Sequence, residues 1–412
     1  MMKILRFTLP TAALLFCFVQ FANAQEVVTE PEIELRGHTQ EIEALTYSPD
    51  GKVLVSGGWD NTLKVWDAET GNLLNDFKAH DGSVRCMAFS RDSKMLITGS
   101  RDNSIKIWDT AWNVKYSLFG HVNTINCVLI DPSLRYAYSG GADALLKVWD
   151  LKKKGESRTL KKFARPINSV VVSLRGTDVY IATEGPEIYN ITVAGKDKNN
   201  FVGHTDEVNA LAYSLNNKYL ISGSSDKTAI IWNLQNGKIV QTLKGHTWKV
   251  THVAFSIDSK FAITGSTDGT VKMWDVETGN LIASYEAGVN SINAMALSPD
   301  ITHIASAGMV NSFEPDDKKY LVYVWGTGEE PERVKQARIR QFKQDSVRYL
   351  KDSAKIAQDS AKLALDSIKQ AEKQKQIELK QKKLDEKQKR EEEKKKKPGD
   401  SGQAIEVREV WL

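Results

Sequence analysis

The sequence predicts an all-β domain built from small four-stranded sheets packed radially, followed by a long helical arm. Three observations predict it. A repeat of about 42 residues runs from residue 30 to residue 325. Each repeat holds four short apolar or β-branched runs separated by polar turns. From residue 331 to residue 397 there is no Gly and no further Pro, and Lys, Glu, Gln, Ala and Leu dominate. Repeats this short cannot each bury a core, so they must stack, and strands without helices stack as radial sheets.

Composition narrows the class. The 412 residues are 41% apolar and 26% charged, with 27 Gly and 10 Pro, which is ordinary globular usage. A net charge of +4 is too small to argue for nucleic acid as a partner of the whole chain, and three Cys exclude a disulfide framework.

Residues 1–24 read as a secretory leader. Lys3 and Arg6 supply a basic start, residues 9–21 are almost wholly apolar, and Ala22-Asn23-Ala24 offers an A-x-A cleavage site. The apolar run is shorter than the roughly 20 residues that cross a bilayer, and no later segment is apolar enough to span. Leu15 and Phe16 precede Cys17 where a lipid-attachment signal wants small residues. The expected compartment is therefore outside the cytoplasm, periplasmic or secreted, in a bacterial envelope. Cys86 and Cys127 then meet an oxidising compartment. They fall at equivalent positions of neighbouring repeats, and the spacing of stacked sheets predicts two buried free thiols.

The register of the repeat is carried by four residues. His38, His80, His121, His204 and His246 start the sets. Eighteen residues on stand Ser56, Thr98, Ser139, Ser222 and Thr264; four further on, Asp60, Asp102, Asp143, Asp226 and Asp268. Trp66, Trp108, Trp149, Trp232 and Trp274 follow each His by 28. Two degraded copies complete seven. Phe163 replaces His in the fourth, with Ile191 in place of Trp. Gly288 replaces His in the seventh, where Trp325 arrives nine residues late. In the second repeat the strands are expected at residues 84–89, 95–98 and 105–108. Residues 237–243 illustrate the fourth strand.

Gly-His, Ser-Pro-Asp-Gly at 48–51 and Trp-Asp together resemble the WD40-repeat family of β-propellers, over about residues 30–325. The resemblance implies a seven-bladed WD40-type propeller. It also implies that residues 32–35 add the outer strand of the seventh blade and close the ring. The recurring His, Ser/Thr, Asp and Trp resemble that family's buried hydrogen-bonded tetrad, and the chemistry agrees. An indole N–H donates to a hydroxyl, the hydroxyl to imidazole, and an imidazole N–H to carboxylate. A Ser-His-Asp catalytic triad is the competing reading, but five tandem copies around a ring argue for structure. No catalytic motif of metallopeptidase, hydrolase or P-loop type is present, and no metal or cofactor is expected. His252 and His303 lie outside the sets, and His252 is expected to pack in the core.

In the resembling family, partners dock on one face of the ring. Carried over by register, the exposed positions are three and five after each His, and one before each Asp. They include Glu41, Glu43 and Trp59; Ser83, Arg85 and Arg101; Thr124, Asn126 and Ala142; Glu207, Asn209 and Ser225; and Lys249, Thr251 and Thr267, with Trp248 alongside. Aromatic and Arg side chains most often anchor interfaces. The candidate binding surface is therefore Trp59, Arg85, Arg101, Trp248, Lys249, Glu43 and Phe313, the last from the seventh-repeat insertion.

Residues 329–397 are expected to be helical. Pro331 among acidic residues suits a helix start, and Lys394 to Lys397 followed by Pro398-Gly399 suit its end. The segment carries a net +8. Asp-Ser recurs every seven residues from 345 to 367. Val347, Leu350, Ala354, Ala357, Ala361, Ala364, Ile368 and Ala371 form an Ala-rich coiled-coil seam, for self-association or a partner helix. The expected organisation is a leader (1–24), a propeller (25–328), an arm (329–397) and a tail (398–412). The function it points to is an exported, non-catalytic protein-interaction scaffold. The alternatives are a carbohydrate- or cell-wall-binding propeller and an enzyme with an axial site.

Overall fold

The computed structural model describes residues 26–327, apart from 154, 287 and 310–319. The leader, the arm with its 347–371 seam, the tail and the insertion containing Phe313 lie outside the described residues. Within them the chain forms seven sheets. The first blade is Ile42–Tyr47, Val53–Gly58, Thr62–Asp67 and Leu73–Lys78, antiparallel and in chain order from the axis outward. The same meander recurs from Val84–Phe89 to Val114–Phe119, from Ile125–Ile130 to Glu156–Lys162 and from Ile167–Val172 to Phe201–Val202. It recurs again from Val208–Tyr213 to Ile239–Lys244 and from Val250–Phe255 to Leu281–Glu286. The strand expected at 237–243 thus begins two residues later, after Gly237 makes its turn at a φ of 70°.

The seventh blade closes the ring. Ser291–Leu297, His303–Met309 and Val322–Gly326 supply three strands, and Ile33–Leu35 supplies the fourth, antiparallel, with Ile33 opposite Val324 and Leu35 opposite Val322. A second N-terminal strand, Glu26–Val28, lies parallel to the outer strand of blade 6. Its acceptor residues Ala283, Ser284 and Tyr285 are buried. Three residues carry no periodicity, so sequence pattern did not reveal this strand.

The core sits between blades. Each pair of neighbours shares one apolar cluster, such as Val55, Leu63 and Val65 of blade 1 against Val84, Leu96 and Trp108 of blade 2. The other interfaces repeat the pattern. The closing cluster joins Ile42, Leu45 and Trp66 to Ala305, Val322 and Val324. Blade approach is close enough to demand glycine. A Cβ on Gly140 would stand 2.4 Å from Ile167 Cγ2 of the next blade.

Each His-bearing set is one hydrogen-bonded chain. In blade 1, Trp66 Nε1 donates to Ser56 Oγ at 2.8 Å, His38 Nε2 stands 2.7 Å from the same oxygen, and His38 Nδ1 stands 2.7 Å from Asp60 Oδ2. Trp108, Thr98, His80 and Asp102 repeat it at 2.9, 2.8 and 3.0 Å. Trp149, Ser139, His121 and Asp143 do so at 2.9, 2.7 and 2.8 Å. The sets of His204, Ser222, Asp226 and Trp232, and of His246, Thr264, Asp268 and Trp274, have the same connectivity. The carboxylate also caps the loop that carries the His: Thr39 N donates to Asp60 Oδ2 at 3.1 Å.

The two degraded copies differ in kind. In blade 7 the late Trp325 still donates to Ser306 Oγ at 2.9 Å, so the insertion leaves the indole in place. In blade 4 the polar chain is gone. Phe163, Ile181 and Ile191 occupy the His, hydroxyl and Trp registers and join one apolar cluster. Replacing every member of a buried polar network costs far less than removing one.

Burial alone would raise the pKa of Asp60. The hydrogen bond and charge of His38, with donors from Thr62 and Thr39, outweigh it and hold the carboxyl at about 2. The same opposition holds Asp102, Asp226 and Asp268 well below the ordinary value.

Two outcomes follow from these sets. Asp102→Ala leaves the His80 imidazole short of a partner and should cost about 1–3 kcal/mol of stability in chemical denaturation. A carboxylate with a depressed folded pKa stabilises the fold above its unfolded pKa and stops doing so as pH falls through the folded value. For Asp60 that contribution is about 2 kcal/mol, lost between about pH 4 and pH 2. Melting temperature against pH should therefore fall steeply in that window, and the fall should be shallower in Asp102→Ala.

Candidate functional site

The loops that enter the innermost strands converge on a cavity of about 530 Å3 at the axis. Its lining follows the register. The position five after each His, or after its replacement, supplies Glu43, Arg85, Asn126, Asn168, Asn209, Thr251 and Asn293, one from each blade. The period-2 geometry of the strand turns this position to the axis while its neighbour one residue earlier packs between blades. Four of these side chains tie their blade to the next. Asn126 Nδ2 donates to Ile167 O at 2.9 Å, Asn168 Nδ2 to Val208 O at 3.1 Å, Asn209 Nδ2 to Val250 O at 3.0 Å, and Thr251 Oγ1 to Ile292 O at 3.3 Å.

On the side of blades 1 and 2 the lining is a compact ionic and aromatic cluster. Glu43 Oε1 accepts from Arg85 Nη1 at 2.6 Å and from Arg101 Nη2 at 3.2 Å, and Ser83 Oγ donates to Glu43 Oε2 at 3.3 Å. The Arg101 guanidinium lies over the Trp59 ring, Cζ at 4.1 Å from the centroid. Trp59 is 40% exposed, and the Arg85 and Arg101 side chains are 41% and 39% exposed. Two half-solvated guanidinium groups share the Glu43 carboxylate beside an open indole face, with Glu41 in the same lining.

The structure thus brings Trp59, Arg85, Arg101 and Glu43 together, with one correction. Glu43 is not an exposed contact: its side chain is only 7% exposed, closed in by the two guanidinium groups. Ser83 and Ser225 are likewise buried rather than exposed. Trp248 and Lys249 stand apart, in blade 6. Trp248 is 60% exposed with Lys227 Nζ 5.4 Å from its ring centroid, and Lys249 Nζ lies 4.0 Å from Glu207 Oε2. Phe313 lies outside the described residues.

Five lining residues escaped sequence reasoning: Asn168, Glu184, Ser291, Ile292 and Asn293. They belong to blades 4 and 7, which have no His to count from. The signal was present nonetheless, since Asn recurs at 126, 168 and 209 with the repeat period. His252 is also corrected. It is half-buried in the cavity wall instead of packed in the core, with Nδ1 3.0 Å from Thr251 Oγ1. Burial and the Arg85 charge push its pKa down to about 4, so it is neutral at pH 7. Cys86 and Cys127 are free thiols, their Sγ atoms 3.6 Å from Ile125 O and Gly140 O. Burial pushes both up, Cys127 to about 12. Among the described residues no group of three or more His, Cys, Asp or Glu is placed to hold a metal ion, and no helix is long and apolar enough to cross a membrane.

Comparison with known proteins agrees with this architecture. The family described as "WD domain, G-beta repeat" matches residues 29–67, 71–109, 112–150, 195–233 and 237–275. These segments end at the Trp-Asp or Trp-Asn of the five sets, and the fourth and seventh repeats are passed over. Among curated proteins the chain is similar to a CCR4-associated factor 4 homolog of Vanderwaltozyma polyspora. They are 25% identical over 221 residues, 53% of this chain and 23% of that protein. It is similar to Mitochondrial division protein 1 of Saccharomyces cerevisiae, 26% identical over 197 residues, 48% of this chain and 18% of that protein. Nuclear distribution protein nudF 1 of Talaromyces marneffei is 30% identical over 134 residues, 32% of this chain and 29% of that protein. The matched region spans less than a third of each relative's length.

The thiol environment gives a direct check of the packing between blades 3 and 4, where Cys127 lies. A thiol pushed up to about 12 holds almost no thiolate at pH 8, and the thiolate is the reacting species. Maleimide labelling of Cys127 at pH 8, followed by mass spectrometry, should run at least about a hundredfold slower in the native chain than in denaturant.

Proposed function

The chain belongs to the WD40-repeat family of β-propellers, and on that premise we propose that it is an exported, non-catalytic scaffold. It holds a protein partner on the face that carries Trp59, Arg85 and Arg101. Residues 329–397 serve it as a helical arm that spaces or oligomerises the propeller, with the 347–371 stripe as the pairing surface. The leader-like residues 1–24 support export to the periplasm or the cell exterior.

One observation carries the proposal: the Trp59–Arg101–Glu43–Arg85 cluster spanning blades 1 and 2. The hydrogen-bonded sets and the apolar clusters recur around the ring, whereas Trp59, Arg85 and Arg101 of this cluster are half-exposed at the mouth of the cavity. Trp buries large area with few rotamers lost, and Trp and Arg dominate the energetics of protein interfaces. Glu43 and the Trp59 ring hold the guanidinium groups in one orientation, which reduces the entropy lost when a partner docks.

The test is capture by the purified chain from an envelope extract. Trp59→Ala combined with Arg101→Ala should lower recovery of the captured protein at least about tenfold, since each truncation of a central interface residue costs on the order of 1–2 kcal/mol. The melting temperature should change little. Undiminished recovery by the double variant would move the interface elsewhere, and retention on glycan without any protein partner would replace the scaffold with a carbohydrate-binding propeller.

A further inference from the structure

The opposite side of the axial cavity has a different chemistry. Asn126, Asn168 and Asn209 stand on three successive blades, and each directs Nδ2 to a backbone carbonyl of the next blade. A carbonyl only accepts, so the amide NH2 end must face it and the amide oxygen is the end left for the cavity. Among the described residues no group donates to these three oxygens. The wall is thus a run of fixed acceptors, each held by its own inter-blade bond.

Charge points the same way. The cavity lining carries Glu41, Glu43, Glu184 and Glu207 against Arg85 and Arg101. Both guanidinium groups turn onto Glu43, on the side of blades 1 and 2. On the side of blades 4 and 5, Glu184 and Glu207 have no cation of the lining beside them. Lys249 approaches Glu207 only to 4.0 Å, and Arg165 directs Nη1 to the Glu184 backbone carbonyl. His252 is uncharged at neutral pH and adds no positive charge.

We propose that this side of the cavity binds a primary alkylammonium group. An ammonium carries three donors and no acceptor, so it suits a wall that offers amide oxygens and carboxylates. A guanidinium is a planar fork that favours paired carboxylate oxygens, and the carboxylates here stand on separate blades. A divalent cation takes amide oxygens as well but draws its charge balance from clustered carboxylates, and among the described residues no group of three or more His, Cys, Asp or Glu is placed to hold one. The volume of about 530 Å3 accommodates the amine together with its alkyl chain. The ammonium has two sources, a lysine side chain of a protein or a free diamine. The site does not depend on the scaffold proposal, because small amines test it without any partner.

The test is calorimetric titration of the full chain with 1,5-diaminopentane and with Nα-acetyl-lysine N-methylamide, using 1-pentanol and butyrate as neutral and anionic controls. Saturable binding of either amine, absent for both controls, is expected. Glu184→Gln should weaken it about tenfold, the loss expected for a charge-assisted contact. The Glu184 side chain is exposed and has no bonding partner among the described residues, so the melting temperature should not change. Asn168→Ala should weaken binding as well; if loss of its bond to Val208 O lowers the melting temperature, Glu184→Gln decides alone. Tighter binding of the lysine derivative identifies a protein side chain, and tighter binding of the diamine a free amine. No saturable binding of either amine, equal binding of 1-pentanol, or amine binding unchanged in Glu184→Gln overturns the proposal.

Discussion

A hydroxyl oxygen inside each His-bearing blade is the point on which the rest of the ring depends. In blade 1 it is Ser56 Oγ, which takes the Trp66 indole N–H and contacts the His38 ring, which in turn reaches Asp60. That chain ties the third strand to the second, the second to the loop entering the first, and that loop to the turn before the third. One polar path therefore fixes the relative positions of two strands, the loop that enters the innermost strand and the turn between the second and third. Inside a low-dielectric core such a path is stabilising only when every member is paired, so a blade either keeps a paired set, all four residues in five blades and the Trp325–Ser306 pair in blade 7, or replaces the polar members altogether. Blade 4 shows the second case, with Phe163, Ile181 and Ile191 packed in their place.

This constraint separates structural polar groups from those available for function. Five of the seven His are committed to the sets, and His303 lies 3.2 Å from Glu32 at the closing seam. What the fold leaves over is concentrated at the axis. There the loops are held by the carboxylate caps, and their side chains need only join blade to blade. Two chemistries result within one cavity. A guanidinium and aromatic side is formed by Trp59, Arg85 and Arg101 over Glu43, and an acceptor side by Asn126, Asn168 and Asn209 with Glu184 and Glu207.

Much of this was legible in the sequence because the signals were periodic. The spacing from His to hydroxyl, Asp and Trp placed the sets, and residues 32–35 were read as the closing strand because they precede Gly37-His38. The features that escaped were aperiodic or depended on side-chain neighbours. Glu26–Val28 pairs with the outer edge of blade 6 at Ala283, Ser284 and Tyr285, a pairing between distant segments that no local pattern reports. Glu43 was read as exposed because its register faces solvent. Arg85, 42 residues on, closes over it, and so does Arg101. His252 was read as core because Ala and Cys fill its register elsewhere, whereas its larger ring reaches the cavity wall.

The central claim is that the recurring polar residues are buried structure and that the exposed indoles are not. Hydrogen exchange of the indole N–H groups, followed by NMR on the native chain, tests it most directly. Trp66, Trp108, Trp149, Trp232, Trp274 and Trp325 each donate to a buried hydroxyl, so their N–H groups should exchange only through global unfolding, with one common free energy. Trp59 and Trp248 should exchange rapidly. Fast exchange at any of the six, with the fold intact, would contradict the account.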